Sequence, residues 1–401
     1  MKGKINRRNF LKLTGKGALI WAASGIIAPN TLWASSLPKE VLIGAILPLT
    51  GGLATTGDEI KSGMELAVSK INGKGGIAGK SKIKLFYEDT RCNPTEAAIV
   101  TNRIIAKHKV HFMVGMYCSS VALAAMPILD RAKIPNITSG YAEAITGKSH
   151  KPGTFRIGPQ AKLEMPIIAK FAIQERKKKK FAILALNNDW GHSMAEWFKK
   201  TANKLGGEVT GTLLYKFGTR DFRSQLTKIK GMGVDGIVAI NLTPSNISFT
   251  EQYHELDMKQ DVFCADTFND RQYKNMIAKK GLATNFFFPF FFNENSKDPF
   301  VQDFVKSYKK KYGYVPGRNQ GWGYGEVMLL VQAVEGAKSI KPDKIIKYFH
   351  NHKFNTPFGK YGFGKCGQSE VRTGIATYDA KGNRVFLKPQ GWGKDVLPPI
   401  C

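Results

Sequence analysis

The chain has 401 residues, of which 43% are hydrophobic and 23% are charged. This length and composition suffice for one large or two medium globular domains and exclude a wholly disordered protein. The 41 glycines follow no triplet period, and the apolar runs are shorter than the roughly 18 residues of a membrane-spanning helix, so collagen-like and helical membrane proteins are excluded. The net charge is +29, from 60 Lys+Arg against 31 Asp+Glu.

Part of this charge lies in residues 1–36, which contain six basic residues and no acidic residue. The segment around Arg7 and Arg8, followed by Phe10-Leu11-Lys12, resembles a twin-arginine export signal. An apolar, glycine-diluted stretch and the small residues at 34–36 follow it, as in a signal peptide cleaved near residues 34–36. An amphipathic anchor helix is the alternative, but Gly15, Gly17, Gly25 and Pro29 disfavour it. We therefore expect export to the periplasm.

The remaining chain keeps 54 basic and 31 acidic residues, a formal charge of +23. Its lysines are dispersed, and the densest run, 177–180, directly precedes an apolar stretch, as expected of a solvated loop. We find no nucleic-acid-binding motif and predict no nucleic-acid partner. The five cysteines and seven histidines include no metal-ligand spacing, so we predict neither a metal nor a cofactor.

Short β-rich runs alternate with amphipathic helical stretches from residue 41 onward. In the first series the strands are predicted at 41–47, 83–87, 111–115, 136–138 and 155–157, and the helices at 58–71, 93–106 and 120–131. Strands that alternate with helices indicate βαβ units, and hence a parallel sheet with helices on both faces.

A second series repeats this alternation. Its strands are predicted at 181–186, 208–215, 236–240 and 286–292, and its helices at 164–174, 194–205, 222–230 and 247–256. Further helices are predicted at 298–312, 322–337 and 342–350, before a tail with strand-like alternation at 358–387. The predicted fold is α/β, with two doubly wound parallel-sheet lobes.

Several segments, in this order, resemble the branched-chain amino-acid-type periplasmic binding proteins, the type I solute receptors of ABC importers. The resemblance extends over about 41–379 and is carried by Leu47-Pro48-Leu49-Thr50-Gly51, the glycine-rich turn 72–79, Cys92-Asn93-Pro94, Cys118-Ser119-Ser120 and Asp189-Trp190-Gly191. It implies one lobe of residues 37–157 plus 288–370, a second of 158–287 plus 371–401, and a three-segment hinge.

In the first lobe, the resemblance implies ligand-binding residues in loops that follow strands. These are Thr56, Tyr117, Cys118, Ser119, Gly140, Tyr141 and Ala142. Ligands of open α/β sheets bind beyond the carboxyl ends of the strands, where Ser119 is predicted to lie. Ser119 could instead serve only as a helix N-cap. Ala142 departs from the family, which usually has a hydroxyl residue there, and this disfavours a standard α-amino acid.

In the second lobe the resemblance implies three further ligand-binding residues. Trp190 corresponds to an aromatic lid, Leu242 to an apolar wall and Asp266 to the acidic partner of a ligand ammonium group. An ordinary core tryptophan and a helix-capping aspartate are the structural alternatives.

The resemblance also implies a disulfide between Cys92 and Cys118. Cys366 and Cys401 could form a second one, which would leave Cys264 free.

The predicted function is a monomeric periplasmic receptor, not an enzyme, that passes a small ligand to an ABC permease in the membrane. The expected ligand is a small carboxylate, amide or amino acid with an apolar or aromatic side group. The alternatives are a periplasmic ligand sensor of the same fold and an exported cofactor enzyme. The sequence has no nucleotide-binding glycine motif after a strand and no nucleophile-elbow motif, which disfavours the enzyme.

Overall fold

The computed structural model describes residue 33 and residues 37–280, 282 and 285–401. The predicted signal peptide lies outside the described residues, apart from Trp33. Among the helices of the described part, none is long and apolar enough to cross a membrane.

The first sheet has five parallel strands in the order β2-β1-β3-β4-β5. Their bounds are β1 Glu40–Leu47, β2 Lys82–Asp89, β3 Phe112–Gly115, β4 Asn136–Thr138 and β5 Thr154–Arg156. The connecting helices are α1 Ala54–Gly73, α2 Pro94–His108 and α3 Ser119–Arg131. The central strands β3 and β4 are buried along their whole length because helices cover both faces of the sheet.

Helix α2 shows how local sequence sets an element's ends. The Asn93 side chain accepts hydrogen bonds from the backbone N–H groups of Thr95 and Glu96, and Pro94 occupies the first turn. The helix ends at Lys109 in the left-handed conformation. A polar N-cap followed by proline is a common helix start, which is why the sequence predicted this one to within a residue.

The second sheet has seven strands in the order β14-β13-β10-β9-β8-β6-β7, in which β13 is antiparallel to both of its neighbours, β10 and β14. Its strands are β6 Lys180–Leu186, β7 Glu208–Tyr215, β8 Gly236–Ile240, β9 Asp261–Cys264, β10 Phe286–Phe290, β13 Gly374–Tyr378 and β14 Arg384–Lys388. Its helices are α4 Ala161–Lys170, α5 Asp189–Lys204, α6 Arg223–Gly231, α7 Ser245–Glu255 and α8 Arg271–Lys280. Helix α8 was not predicted from the sequence.

Three later helices return to the first sheet: α9 Pro299–Tyr312, α10 Arg318–Ala337 and α11 Pro342–Asn351. A hairpin of β11 Phe354–Thr356 and β12 Gly359–Tyr361 follows them. Helix α10 packs closely along α1. A Cβ atom at Gly323 would lie only 1.8 Å from the Ile60 carbonyl oxygen, so the two helices can approach this closely only because residue 323 is a glycine. This close approach places the N-terminus of α10 beside the space between the sheets.

The chain crosses between the two sheets in three segments, at 157–160, 291–298 and 362–373. The first and third crossings are hydrogen-bonded together: Gln368 Nε2 and Ser369 Oγ donate to the Gly158 carbonyl at 2.9 and 3.0 Å. The predicted fold class, an α/β protein with two doubly wound sheets, is confirmed.

One predicted limit between the lobes needs correction. The sequence placed it between residues 287 and 288, but strand β10 continues to Phe290, and Phe288 pairs with Ala376 of the second sheet. The aromatic run continues past the end of β10 to Phe292, so the hydrophobic pattern does not show where the strand ends. Which sheet a strand joins also does not follow from its hydrophobicity.

Candidate functional site

A cavity lies between the two sheets, at the carboxyl ends of their strands, with an empty volume of about 360 Å³ including the part open to solvent. The first sheet contributes Tyr117, Ser119 and Tyr141, together with the Cys92–Cys118 disulfide. The second sheet contributes Asn188, Trp190, Leu242, Asp266 and Thr267, and helix α10 contributes Arg318. Loops after strands meet here because the strands of each sheet end at the same edge.

The structure brings together seven of the ten residues that the sequence assigned to a ligand site. Those that line the cavity are Tyr117, Cys118, Ser119, Tyr141, Trp190, Leu242 and Asp266. Three others do not line it. Thr56 is buried in the first turn of α1, while Gly140 and Ala142 lie directly behind Ser119.

Ser119 opens helix α3 and is 4% exposed. Its Oγ accepts hydrogen bonds from the backbone N–H groups of Tyr141 and Ala142, each at 3.0 Å. It therefore ties the β3 loop to the β4 loop and does not cap its own helix, so the N-cap alternative is wrong. A serine hydroxyl has two acceptor lone pairs and one proton. With both lone pairs engaged, the proton is the group that Ser119 can offer to a ligand.

Arg318 lies between two carboxylates of the second sheet. Its Nη1 is 3.2 Å from Asp266 Oδ2, and its Nη2 is 2.8 Å from Asp270 Oδ1. All three side chains are at least 96% buried. Burial alone would lower the pKa of Arg318, but Asp266 and Asp270 raise it well above its ordinary value, so the guanidinium is charged.

The two ion pairs do not use every N–H group of the guanidinium. Among the described residues, no acceptor has hydrogen-bond geometry toward Nε of Arg318, while Nη1 and Nη2 face the two carboxylates. The guanidinium also lies 4.5 Å from the Trp322 ring centre, a cation–π contact. Buried donors without acceptors are costly. A ligand oxygen in this cavity would satisfy them.

Asp266 is held by residues from both sheets. Its Oδ2 accepts a hydrogen bond from Tyr141 Oη at 2.7 Å, and its backbone N–H donates to Glu164 Oε1 at 3.1 Å. Burial raises the pKa of Asp266, an effect that Arg318 opposes. Burial and the neighbouring Asp266 raise the pKa of Glu164 well above its ordinary value. Oδ1 of Asp266 accepts no hydrogen bond from the part of the chain that the structure describes, so it is available as an acceptor.

Arg156 supports the first-sheet loop from beneath. It is fully buried at the end of β5, and its guanidinium donates to the carbonyl oxygens of Tyr141 and Ala142 at 3.1 and 2.7 Å. These are the two residues whose N–H groups bond Ser119. Arg156 is a positioning residue, since it fixes the loop that fixes Ser119.

The remaining walls are apolar. Trp190 is 6% exposed in the first turn of α5 and faces the same cavity as Leu242 and Tyr117. Asn188 fixes this turn, because its side chain accepts a hydrogen bond from the Gly191 N–H at 2.9 Å. The cavity therefore combines a small polar cluster with an aromatic and aliphatic surface, as is common in small-molecule sites.

Comparison with known proteins identifies the family. The family model described as "Periplasmic binding protein" matches residues 40–383. The chain belongs to the periplasmic binding proteins.

Two relatives come from Pseudomonas aeruginosa. An amino acid binding protein is 28% identical over 92% of this chain and 98% of its own length. A leucine-, isoleucine-, valine-, threonine- and alanine-binding protein is 26% identical over 80% of this chain and 84% of its own. A solved ABC-transporter solute-binding protein of R. palustris in complex with benzoate shares the fold, with a TM-score of 0.80 and 22% identity over 88% of this chain and 97% of that one.

As a periplasmic binding protein, the chain is a ligand-binding receptor, and the predicted family and receptor role are confirmed. The two cysteine pairs are also as the sequence suggested. Cys92 is bonded to Cys118 and Cys366 to Cys401, with Cys264 free and buried.

Sequence reasoning missed three residues that line the cavity of this binding protein: Asn188, Thr267 and Arg318. Asn188 lies two residues before Trp190, and Thr267 directly follows Asp266. Both could have been predicted if the neighbours of each predicted site residue had been included. Arg318 could have been found from the helix boundary. The predicted helix begins at 322, whereas α10 begins at Arg318 directly after Gly317, and glycine is one of the residues preferred at a helix N-cap.

Proposed function

We propose that this protein is the periplasmic substrate-binding receptor of an ABC importer, and that its ligand is a small carboxylate, amide or amino acid with an apolar or aromatic side group. The observation that carries the proposal is the buried Arg318 guanidinium, whose N–H groups not engaged by the two aspartates lie in the same apolar-walled cavity as the free hydroxyl proton of Ser119. Both groups are donors, so the ligand must present acceptor oxygens.

Charge balance within the site favours a zwitterion or a neutral amide over a simple anion. Asp266 and Asp270 bring two formal negative charges against the single positive charge of Arg318. A bare carboxylate would add a third negative charge in a buried site, which is costly. The ammonium or amide nitrogen of a ligand could be accepted by Oδ1 of Asp266. Ala142 lies behind Ser119 and does not line the cavity, so the hydroxyl that it lacks does not count against an amino acid. An amino acid with an apolar or aromatic side chain therefore fits better than an aromatic acid.

The relatives support this class of ligand. One is named for amino acids and another for leucine, isoleucine, valine, threonine and alanine, while a structural neighbour holds benzoate. The apolar walls of Trp190 and Leu242 suit the aliphatic and aromatic groups that these names share.

We also infer in which compartment the protein acts and how its lobes move when the ligand binds. Family membership and the twin-arginine-like segment support a monomer in the periplasm that delivers its ligand to a membrane permease. The sheet pairing supports two moving lobes, 37–157 plus 291–370 and 158–290 plus 371–401. Ligand groups that contact Ser119 in one lobe and Asp266 in the other would favour the closed state by population shift.

Calorimetric titration of the chain from residue 37 onward tests the proposal. The panel should hold aliphatic and aromatic amino acids, their amides, benzoates and sugars. We expect the tightest binding from an apolar or aromatic amino acid. Tight binding of a sugar would contradict the assignment.

Arg318→Lys provides the test of the site, because it keeps the charge between the two aspartates but loses the planar donor fork. We expect at least a tenfold loss of affinity without loss of the fold, checked by the thermal midpoint. The matched control is Arg271→Lys, since Arg271 pairs with Glu59 at 3.7 Å outside the cavity lining. Equal effects of the two substitutions would contradict a ligand contact at Arg318.

A further inference from the structure

A second, larger cavity lies at the hinge, with an empty volume of about 1990 Å³ including the part open to solvent. Its walls come from both lobes: helix α4, the β11–β12 hairpin, the third crossing at 370–373 and the C-terminal tail at 397–400. It shares no lining residue with the cavity between the sheets. Two aromatic residues, Trp322 and Phe291, lie between the two cavities and contact each other. Trp322 also contacts Tyr141, which lines the cavity between the sheets, and Phe291 also contacts Phe358, which lines the hinge cavity.

The charge on the walls of this hinge cavity is strongly positive. Four cationic side chains line it: Lys353, Lys360, Arg372 and Lys394. Within residues 37–280, 282 and 285–401, none of the four has an ion-pair partner. One carboxylate, Glu370, also lines the cavity, and its Oε2 accepts a hydrogen bond from the Gly362 N–H at 3.4 Å. The excess of cations selects for an anionic group.

The other walls are apolar. Leu163 and Ile167 of α4 face the cavity together with Phe358 of the hairpin and with Leu397 and Ile400 of the tail. A simple inorganic anion would leave this apolar surface in contact with water, whereas an aliphatic or aromatic group would cover it. The two kinds of wall together fit an amphipathic ligand.

Thr373 supplies an independent sign of a missing partner. It lines the hinge cavity and is 2% exposed, and its Oγ1 has no hydrogen-bond partner among the described residues. Buried hydroxyl groups nearly always have a partner. Because Oγ1 itself is shielded from the cavity, a ligand oxygen would reach it only after a small movement of this wall.

The tail that closes one side is covalently fixed. Cys401 is bonded to Cys366 of the third crossing, and the Ile400 carbonyl accepts a hydrogen bond from Gln160 Nε2 of the first crossing at 3.5 Å. The disulfide and this hydrogen bond together hold the tail over the cavity. Because both lobes line the cavity, a ligand there would also be thermodynamically coupled to lobe closure.

We propose that the hinge cavity binds an amphipathic organic anion, with a carboxylate or phosphate against the Lys360 and Arg372 side chains and an acyl or aromatic group against α4 and the tail. This site is distinct from the one between the sheets. Its ligand would regulate closure and would not be the transported solute.

Decanoate is the probe, with decanol and decyltrimethylammonium as its neutral and cationic counterparts. Calorimetry on the chain from residue 37 onward should show saturable binding of decanoate and at least tenfold weaker binding of the other two. The double variant Lys360→Gln/Arg372→Gln should weaken decanoate binding at least tenfold. Both side chains are exposed, so the thermal midpoint should be unchanged.

The matched control removes the same charge elsewhere, with Lys107→Gln/Lys228→Gln on α2 and α6, and should bind decanoate as the unmodified chain does.

Two further experiments test the position of the ligand. Cys366→Ser/Cys401→Ser removes the covalent link of the tail and should also weaken decanoate binding. Anomalous scattering from 10-bromodecanoate in crystals should locate the bromine beside Leu163. The proposal is overturned by equal binding of decanol, by equal losses in the two charge variants, by no saturable decanoate binding, or by bromine between the sheets.

Discussion

At Ser119 a single side-chain oxygen joins two loops and still keeps one proton to donate. Its acceptor positions are filled by the Tyr141 and Ala142 N–H groups, so the direction of that proton is fixed by the backbone. Arg156 fixes the same backbone from the other side through the carbonyls of the same two residues. The donor is thus oriented before any ligand arrives, which reduces the entropic cost of binding.

Ser119→Ala should therefore weaken ligand binding by about ten- to a hundredfold, since losing a hydrogen bond to a charged group typically costs about 1.5–3 kcal/mol. Calorimetry with the tightest-binding ligand of the panel measures the change. Ser120→Ala is the matched control, because Ser120 is the next residue of α3 and does not line the cavity. Unchanged affinity in Ser119→Ala would show that the ligand does not accept from this hydroxyl.

At the scale of elements, the Cys92–Cys118 disulfide links the loop before α2 to the residue that precedes α3. Its Cα atoms are 5.6 Å apart and 26 residues apart in sequence. It holds the start of α3, and with it Ser119, beside the edge strand β2.

Replacing both cysteines, in Cys92→Ser/Cys118→Ser, should lower the free energy of unfolding by about 3–4 kcal/mol, because the unfolded chain regains the entropy of an open loop of this length. Urea unfolding without reductant measures the loss. Cys264→Ser tests whether the effect is specific to the pair, since Cys264 is unbonded. A change below about 0.5 kcal/mol in the double variant would argue against the bond.

Helix α10 presents a fully buried carboxyl group to the first sheet. Glu326 Oε2 accepts the Gly115 N–H at 2.8 Å, and Oε1 has no partner among the described residues. Burial raises the pKa of Glu326 well above its ordinary value, so the folded protein keeps this carboxyl group protonated. The unfolded chain releases the proton near pH 4.5, and stability is therefore lost as the pH rises from there toward the folded pKa.

Glu326→Gln removes this titration. Relative to the unmodified chain, the variant should gain stability as the pH rises above about 4.5, by at most about 1.4 kcal/mol for each pH unit. Urea unfolding between pH 4 and pH 8 measures the difference. A flat profile for Glu326→Gln would mean that Glu326 is ionised in the folded protein.

At the scale of the whole molecule, the proposed function requires the two lobes, the hinge and the predicted export segment to act together. The hydrogen bonds of Gln368 and Ser369 to Gly158 hold two crossings side by side, so that the lobes can close about them. In this structure Tyr141 of the first lobe already donates a hydrogen bond to Asp266 of the second at 2.7 Å, and the proposed closure would keep Ser119 and Asp266 on opposite walls of one cavity.

Export is predicted to depend on Arg7 and Arg8. Replacing both by lysine keeps the charge but removes the paired-arginine pattern, and we expect the precursor to accumulate in the cytoplasm. Fractionation followed by immunoblotting gives the result. Lys2→Arg/Lys4→Arg, which changes the same number of basic residues, should be exported normally. Normal export of the Arg7→Lys/Arg8→Lys variant would remove the twin-arginine interpretation.

The sequence by itself determined the fold class, most of the helices and strands, and the strand ends at which Ser119, Tyr141 and Asp266 lie. These features are local: strands and helices follow from residue periods of two and of 3.6, and their ends from proline, glycine and capping residues. The order of family-like segments added the receptor role and the Cys92–Cys118 bond.

Only the tertiary structure decided which distant side chains meet. Arg318 is about 50 residues from Asp266 and Asp270, and no local pattern relates them; their pairing depends on how α10 packs against the second sheet. The same holds for the hinge cavity, whose walls come from four separate segments. Side-chain contacts between distant segments depend on the packing of whole elements, whereas the elements themselves depend on neighbouring residues.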